Sequence, residues 1–377
     1  MTKKISSCLI TPLDWGLGHA ARCIPLIHSL EQKGIEVHIA CSKSQFKFFE
    51  KECPTSPILE IPSSTIVYPK NKKFFILSVF LQLIAALPTE KKARRLLKNY
   101  IAKKNISLLI SDSRPMMLSA CRQSIYMTHQ LHPKPGFSGF FISALQQYAS
   151  RKSISVWIPD IEKQESSLAG QLSHPAWNAQ CKYIGALSRF KKISAHSSEH
   201  QQLLVLLSGP EPTRSILENK LVKILQDLKI PFFLVRGTEE HKNALPANIP
   251  NVNLADTNEL KYLFGQCRAV ISRSGYSSIM DAHVLKIPWL MIPTPGQTEQ
   301  EYLSGWNRNK SSIHFLNEDE ITPEKVKQWW EAIIDSGECE TSTENDNLQQ
   351  AIDDTIRQAG LLDFQENPSV FVGKQLR

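Results

Sequence analysis

The chain has 377 residues, more than the roughly 250–300 at which one apolar core stops growing, so two domains are expected. Apolar residues make up 42% and charged residues 21%, a globular balance that excludes a collagen-like, disulfide-scaffold or wholly disordered chain. The net charge of +8 is unevenly spread: residues 70–95 hold seven Lys or Arg against Glu90, whereas 336–377 hold eight acids and three bases. The basic balance therefore marks a local patch, and no nucleic-acid partner is expected.

The elements follow in chain order. Lys3-Lys4 and the run from Ile5 to Pro12 superficially resemble a short signal peptide. The run leads straight into a glycine loop with no small-residue cleavage site, so Ser6–Thr11 reads as a first strand. Gly16-Leu17-Gly18 is a turn. A helix is predicted from Ala20 to Gln32, with Cys23, Ile24, Ile27 and Leu30 at helical spacing and Gly34 as its stop. Ile35–Cys41 reads as a strand, and residues 106–111 as another that ends at Asp112. Between them, residues 74–87 form an apolar run flanked by Lys70, Lys72 and Lys73 on one side and Lys91, Lys92, Arg94 and Arg95 on the other. Strand-helix alternation of this kind implies a parallel sheet covered on both faces.

A second alternating unit begins near residue 202. Strands are expected at Leu203–Leu207, Phe232–Val235, Ala269–Ser272 and Trp289–Ile292. Helices are expected at 213–228, Leu260–Gln266, Tyr276–Leu285 and 323–334. The weakly patterned stretch 185–201 reads as the linker. The division is an N-terminal domain over 1–190, a C-terminal domain over 200–335, and an acidic tail over 336–377 that is partly disordered. The eight cysteines, at 8, 23, 41, 53, 121, 181, 267 and 339, contain no C-x-x-C pair. Zinc and redox motifs are thereby disfavoured, and reduced thiols in the cytoplasm are expected.

Four loops carry residues suited to chemistry. The first is Asp14-Trp15-Gly16-Leu17-Gly18-His19. A glycine turn between strand and helix lets backbone approach a ligand, and the helix N-terminus favours an anion. A nicotinamide dinucleotide would need an acid at the tip of the second strand. That strand ends Ala40-Cys41-Ser42, which weighs against a dehydrogenase. A tight turn without a ligand is the plainer alternative. His19 at the helix start is favoured in its neutral form by the helix dipole, which suits a general base. The second loop is Ser208-Gly209-Pro210-Glu211-Pro212-Thr213-Arg214, where Arg214 either meets a phosphate or lies solvated beyond a Thr213 N-cap. In the third, Ser272-Arg273-Ser274-Gly275, a strand opens into a helix whose first amides form a concave donor set suited to a diphosphate. Asp281, under two turns on, either accepts ribose hydroxyls or is an exposed helix acid. The fourth, Pro293-Thr294-Pro295-Gly296-Gln297-Thr298-Glu299-Gln300, offers amides and acids for sugar hydroxyls, or simply a polar helix cap. Asp112 at its strand end is a cleft-facing acid or an N-cap. His129, after the run Ser124–Met127, lines the same cleft or is structural.

Taken together in order, Gly-x-Gly-His, Ser-Arg-Ser-Gly…Asp and Pro-Gly-Gln-x-x-Gln resemble a GT-B glycosyltransferase, most similar to glycosyltransferase family 28. That family includes the N-acetylglucosaminyltransferase of the lipid-linked peptidoglycan precursor and plant galactolipid synthases. The likeness spans most of residues 5–335. It implies an α/β fold with two Rossmann-like domains, their parallel sheets facing a central cleft. The N-terminal domain would take the acceptor and the C-terminal domain a nucleotide-sugar. The reaction implied is an inverting transfer of a hexose or N-acetylhexosamine, UDP-linked, with no cofactor and no metal.

By the same resemblance Ser274 and Gly275 match the diphosphate-binding turn, Asp281 the ribose-binding acid, Gln300 a sugar-hydroxyl contact, and Gly18 and His19 the loop facing the reacting centre. In the mechanism this suggests, the catalytic base is His19 or Asp112; Gly209, Arg214, Arg273 and Glu299 join the donor-binding set, and Gly16 and His129 fall with Gly18 on the acceptor side. Two departures weigh against the peptidoglycan acceptor. Asp14-Trp15 precede Gly16 where a denser glycine run is usual, and Ser-Gly-Pro-Glu-Pro replaces a Gly-Gly-Ser-rich loop. The fourteen residues of 74–87 are too few to span a bilayer, which needs about 20. With their basic flanks they form either an interfacial helix on an anionic leaflet or a buried helix with solvated ends. A lipid-linked acceptor or a surface-glycan precursor would favour the former, with the protein peripheral on the inner face of the cytoplasmic membrane. The alternatives are a non-catalytic nucleotide-sugar or glycolipid-binding protein and a nucleotide-sugar 2-epimerase.

Overall fold

The computed structural model describes residues 7–64, 75–132, 137–175, 181–190, 202–238, 245–308, 313–335 and 347–358. The expected basic flank at Lys70, Lys72 and Lys73, the linker residues 191–201 and the tail residues 336–346 and 359–377 lie outside them.

The first sheet has seven parallel strands in the order β3-β2-β1-β4-β5-β6-β7: β1 (Ser7–Thr11), β2 (Glu36–Cys41), β3 (Ile58–Glu60), β4 (Leu108–Asp112), β5 (Ser124–Met127), β6 (Ser155–Ile158) and β7 (Cys181–Tyr183). The second has six, in the order β10-β9-β8-β11-β12-β13: β8 (Gln202–Leu206), β9 (Phe232–Val235), β10 (Asn251–Val252), β11 (Cys267–Arg273), β12 (Trp289–Ile292) and β13 (Ile313–Phe315). Every pairing is parallel. Both sheets are doubly wound, which explains why their central strands read as unbroken apolar runs. Strand order reverses between β1 and β4 and again between β8 and β11. At such switch points the connecting helices leave on opposite faces and a crevice opens beyond the strand ends.

Helix α1 (Leu17–Gln32) buries Ala20, Cys23, Ile24, Ile27 and Leu30. It stops at Gly34, whose positive φ of 74° lets Ile35 N–H return to the Leu30 carbonyl at 3.2 Å. Between β2 and β3 lies α2 (Lys43–Glu52), and α3 runs from Phe75 to Lys104. The apolar run expected at 74–87 is only the first half of α3. Its second half buries Ala93, Leu97 and Ile101 against Leu9 and Leu109, a stripe hidden in the sequence by Pro88 and the charges between. Among the described residues no helix is long and apolar enough to cross a membrane. Helix α4 (Phe137–Lys152) precedes β6. In the second unit α5 (Thr213–Asp227), α6 (Thr257–Gln266), α7 (Tyr276–Leu285), α8 (Thr298–Asn307) and α9 (Pro323–Asp335) follow their strands.

In the acidic tail, α10 (Asn347–Gln358) crosses back to the first sheet and buries Ala351, Ile352 and Ile356. Lys33 pairs with Asp353, and Lys182 with Asp354 at 3.2 Å. The acids of this segment thus meet basic partners on the first domain.

The two units are packed together. Buried Asp160 draws in the amides of Ile161, Leu168 and Ala169 and the Ser167 hydroxyl at 2.7–3.0 Å, and so folds the 160–174 loop into a rigid platform. Helix α8 docks there: Trp306 Nε1–H donates to Ser167 O at 2.7 Å and Asn307 Nδ2–H to Leu168 O at 2.8 Å. Gly170 lies under the indole with φ +57°, and a Cβ there would sit 2.5 Å from Trp306 Cδ2. Gly170→Ala is therefore expected to lower unfolding free energy by about 1–3 kcal/mol through overpacking and left-handed strain. Differential scanning calorimetry reads this as a lower Tm, and an unchanged Tm would refute the packing argument.

Candidate active site

Both switch points open onto one cleft of about 410 Å³ between the domains. The first domain contributes Asp14 to Gly18 and Ala21. The second contributes Leu206 to Pro210, Gly237, Ser277, Ser278 and Asp281, and the crossover between them adds Arg189 and Phe190. Gly16 has φ +87° and Gly209 φ +106°, conformations that favour glycine. Gly18 serves close approach instead. Its carbonyl accepts from Ser277 Oγ at 2.9 Å, and a Cβ on it would meet that oxygen at 3.0 Å.

On the first domain, His19 Nδ1 lies 2.9 Å from Asp112 Oδ2. His19 opens α1 and Asp112 ends β4, so the switch point itself brings together residues 93 positions apart. Asp112 is fully buried and His19, which directly follows the cleft-lining Gly18, is 17% exposed. The N-cap reading of Asp112 is not what the structure shows: its carboxylate is gripped by Arg22, through Nε at 3.0 Å and through Nη2. Burial pushes the Asp112 carboxyl up, but Arg22 and His19 outweigh it and hold it well below the usual carboxylate range. Burial, then the charge of Arg22, lowers the His19 pKa from its ordinary 6.5 against the opposing pull of Asp112. The resting imidazole is thus neutral beside an ionised carboxylate.

His129 is buried, stacks on the Tyr276 ring at 4.0 Å, and places Nε2 2.8 Å from Glu299 Oε1 of α8. It therefore bridges the domains rather than lining the cleft wall, and Glu299 is engaged in the same bridge. Gln300 accepts Thr294 N–H at 2.8 Å through Oε1 and so shapes the loop before α8. Gly275 caps α7, and a Cβ there would meet nothing within 4 Å. That leaves the first amides of α7, which lack partners within the helix, beside open space. Ser274 is buried, and its hydroxyl turns toward Ser304 Oγ at 3.2 Å.

Two expected phosphate ligands are not where the sequence reading put them. Arg214 is buried and paired with Glu211 and with Glu218, the latter at 2.6 Å; Glu218 also holds Arg236 at 2.6 Å. Arg273 is buried against Glu318 at 2.6 Å and donates to the carbonyls of Pro293 and Thr213. Desolvated guanidiniums need such full pairing, and both are committed to the second domain's framework. The cation that lines the cleft is Arg189, which the sequence reading missed. It lies over the Phe48 and Phe190 rings at 5.4 and 5.1 Å and 3.6 Å from Glu52. Its position in a weakly patterned crossover gave no signal. Gly237 was also missed: with φ +70°, a Cβ there would lie 2.1 Å from Leu207 O.

The comparisons with known proteins agree with this architecture. The profile described as glycosyl transferase family 1 matches residues 13–333, which span both domains and the cleft. The chain belongs to that family. It is a glycosyltransferase with the GT-B fold, as the resemblance implied. No curated protein sequence matches it. Solved structures share the fold at low identity. The glycotransferase of kitacinnamycin is 12% identical at TM-score 0.61, covering 95% of this chain and 98% of that one. The spinosyn rhamnosyltransferase SpnG, complexed with thymidine diphosphate, is 14% identical at TM-score 0.58, covering 94% and 96%. MurG of Acinetobacter baumannii is 14% identical at TM-score 0.52, covering 88% and 91%. Among the described residues, no group of three or more His, Cys, Asp or Glu side chains is arranged to hold a metal ion.

Asp281 carries a testable cost. Ser188 Oγ donates to its Oδ1 at 2.6 Å, yet burial raises its pKa from 3.8 to about 6. Between pH 4 and 6 the folded protein keeps a proton that the unfolded chain has lost, so stability falls as pH rises through that window. Asp281→Asn removes the term. At neutral pH it is expected to be more stable by about 2–3 kcal/mol, seen as a raised Tm at pH 7.5 that converges with wild type near pH 4.

Proposed function

We propose that this glycosyltransferase moves a hexose or N-acetylhexosamine from a nucleoside-diphosphate sugar, UDP-linked, onto an acceptor hydroxyl with inversion and without a bound metal. The observation that carries the reading is the His19–Asp112 pair, which directly follows the Gly16–Gly18 turn that lines the cleft together with Ser277, Ser278 and Asp281. The acceptor hydroxyl gives its proton to His19 Nε2 as its oxygen attacks the anomeric carbon. The bond from that carbon to the diphosphate breaks on the opposite side, and the diphosphate leaves with the electron pair. Asp112 stabilises the imidazolium that forms. The α7 amides and Arg189 meet the charge growing on the leaving diphosphate, which gives it a counter-charge without a metal. Asp281 accepts the ribose hydroxyls in exchange for Ser188. Gln300 and the Gly209 loop complete the donor side, and Gly16 and Gly18 the acceptor side. In SpnG the solved complex holds thymidine diphosphate, which supports a nucleoside diphosphate as the leaving group here.

A lipid-linked acceptor or surface-glycan precursor, met by a cytoplasmic protein at the inner face of the membrane, fits the outer face of the first domain. Helix α3 exposes Leu81, Ile84 and Leu87 beside exposed Lys91, Lys92 and Arg95. An apolar stripe followed by cations suits the headgroup layer of an anionic leaflet.

In a thermal-shift panel of nucleotide sugars, the correct donor raises Tm by linkage. With that donor, His19→Ala is expected to lose about 10²–10⁴-fold in nucleoside diphosphate release while donor binding persists. A non-catalytic binding protein would show no difference between the two. Because burial and Arg22 disfavour the imidazolium, kcat/KM holds its plateau through pH 6.5 and falls only below it. On flotation, the protein rises with phosphatidylglycerol vesicles at low salt and is released at high salt. No binding at low salt removes the membrane contact.

A further inference from the structure

Arg22 stands where the two halves of the site join. Its Nε and Nη2 hold both oxygens of Asp112, Nη2 also lies 3.2 Å from Ser113 Oγ, and Nη1 lies 3.1 Å from His129 Nδ1. A guanidinium only donates. His129 Nδ1 is therefore bare, and its proton sits on Nε2, where it is given to Glu299 at 2.8 Å. His19 Nδ1 lies 2.9 Å from both Arg22 Nη2 and Asp112 Oδ2. Nη2 has two hydrogens for three neighbours, Asp112, Ser113 and His19; a carboxylate only accepts, so a bare His19 Nδ1 would set its lone pair against Asp112 Oδ2 at 2.9 Å, and His19 Nδ1 therefore carries the proton that Asp112 receives. His19 Nε2 is then the bare nitrogen.

We propose that Arg22 is a positioning residue that sets the tautomers of both histidines, and so joins the His19–Asp112 pair to the His129–Glu299 bridge in one hydrogen-bonded array spanning the two domains. Its meaning for catalysis rests on the reading of His19 as the base. Glu299 belongs to α8, so the array is complete only while the second domain is docked. The groups that bear on His19 are Arg22 of α1, Asp112 of β4, His129 after β5 and Glu299 of α8; Cys23 of α1 and Tyr276 of α7 bear in turn on Arg22. Arg22 opposes a proton on His19, while Asp112 favours one. Removing the guanidinium charge therefore moves the His19 titration to higher pH.

Full-length protein labelled with ¹⁵N and ¹³C in its histidines tests this by NMR, with signals assigned through His19→Gln and His129→Gln. In wild type near neutral pH, His19 is expected as the Nδ1–H tautomer and His129 as Nε2–H. Arg22→Lys keeps a cation without the fork: His19 still titrates below its ordinary value, while His129 becomes a mixture of tautomers. In Arg22→Met the His19 titration shifts upward. The opposite tautomer at either histidine of wild type overturns the array, as does an unchanged His19 titration in Arg22→Met. The wild-type measurement decides even where Arg22→Met fails to fold. Correct tautomers in a protein that releases no nucleoside diphosphate from any donor would defeat the catalytic reading and leave the array standing. Turnover with the wrong tautomers would defeat the array alone.

Discussion

A carboxylate and a guanidinium buried together at the first sheet's switch point constrain the rest of this molecule. Asp112 is fully buried and Arg22 nearly so. Each ion would cost several kcal/mol to desolvate alone, and only close, multiply bonded pairing offsets that. The pairing demands that the first turns of α1 lie directly over the end of β4, which sets His19 against the same carboxylate. It also leaves one arm of the guanidinium to reach His129. The His19–Asp112 pair, proposed as base and orienting acid, and a bridge to the other domain thus follow from one solution to one desolvation problem.

The same rule sorts the arginines of the second domain. Arg214, Arg236 and Arg273 are buried, and each has a carboxylate partner. They brace the loops after β8 and β9 from behind, where Gly209 and Gly237 meet the cleft. Arg189 also meets a carboxylate, Glu52 at 3.6 Å, and donates to Thr257 Oγ1 at 3.1 Å, but it rests on two aromatic faces at the cleft wall and its Nε has no partner among the described residues, which leaves a donor for an anion.

The seam between the domains is largely polar along both flanks of the cleft. On one side Glu52 accepts from Thr257 N–H at 2.9 Å and Lys51 meets Asp256 at 2.6 Å. On the other, Tyr276 O–H donates to Pro159 O at 2.7 Å, beside the His129–Glu299 bridge. Hydrogen bonds exchange with water at small net cost, whereas Leu168 and Ala169 share one buried apolar cluster with Tyr276, Ile279, Met280 and Leu303 of the second domain, and half-buried Trp306 packs over Gly170. The apolar contacts thus hold the docking, and the polar contacts give it register.

Much of the plan was legible in the chain because its signals are local. Alternating apolar runs, the glycine turn before His19, the Ser274-Gly275 helix start and the Pro-Gly turn before Glu299 depend on neighbours a few residues apart, and they led to two parallel-sheet domains and a GT-B glycosyltransferase. Asp112 was singled out because a strand end is a local feature too. Tertiary structure alone decided which polar groups stay available once neighbours arrive from afar. Arg214 at a helix start and Arg273 at a strand end sit where a phosphate would be expected, yet Glu218 and Glu318 reach them first. Arg22, an ordinary helix residue by its spacing, becomes the hub because Asp112 is folded against it from 90 residues away. Desolvation is a property of the packed molecule, and no window of sequence contains it.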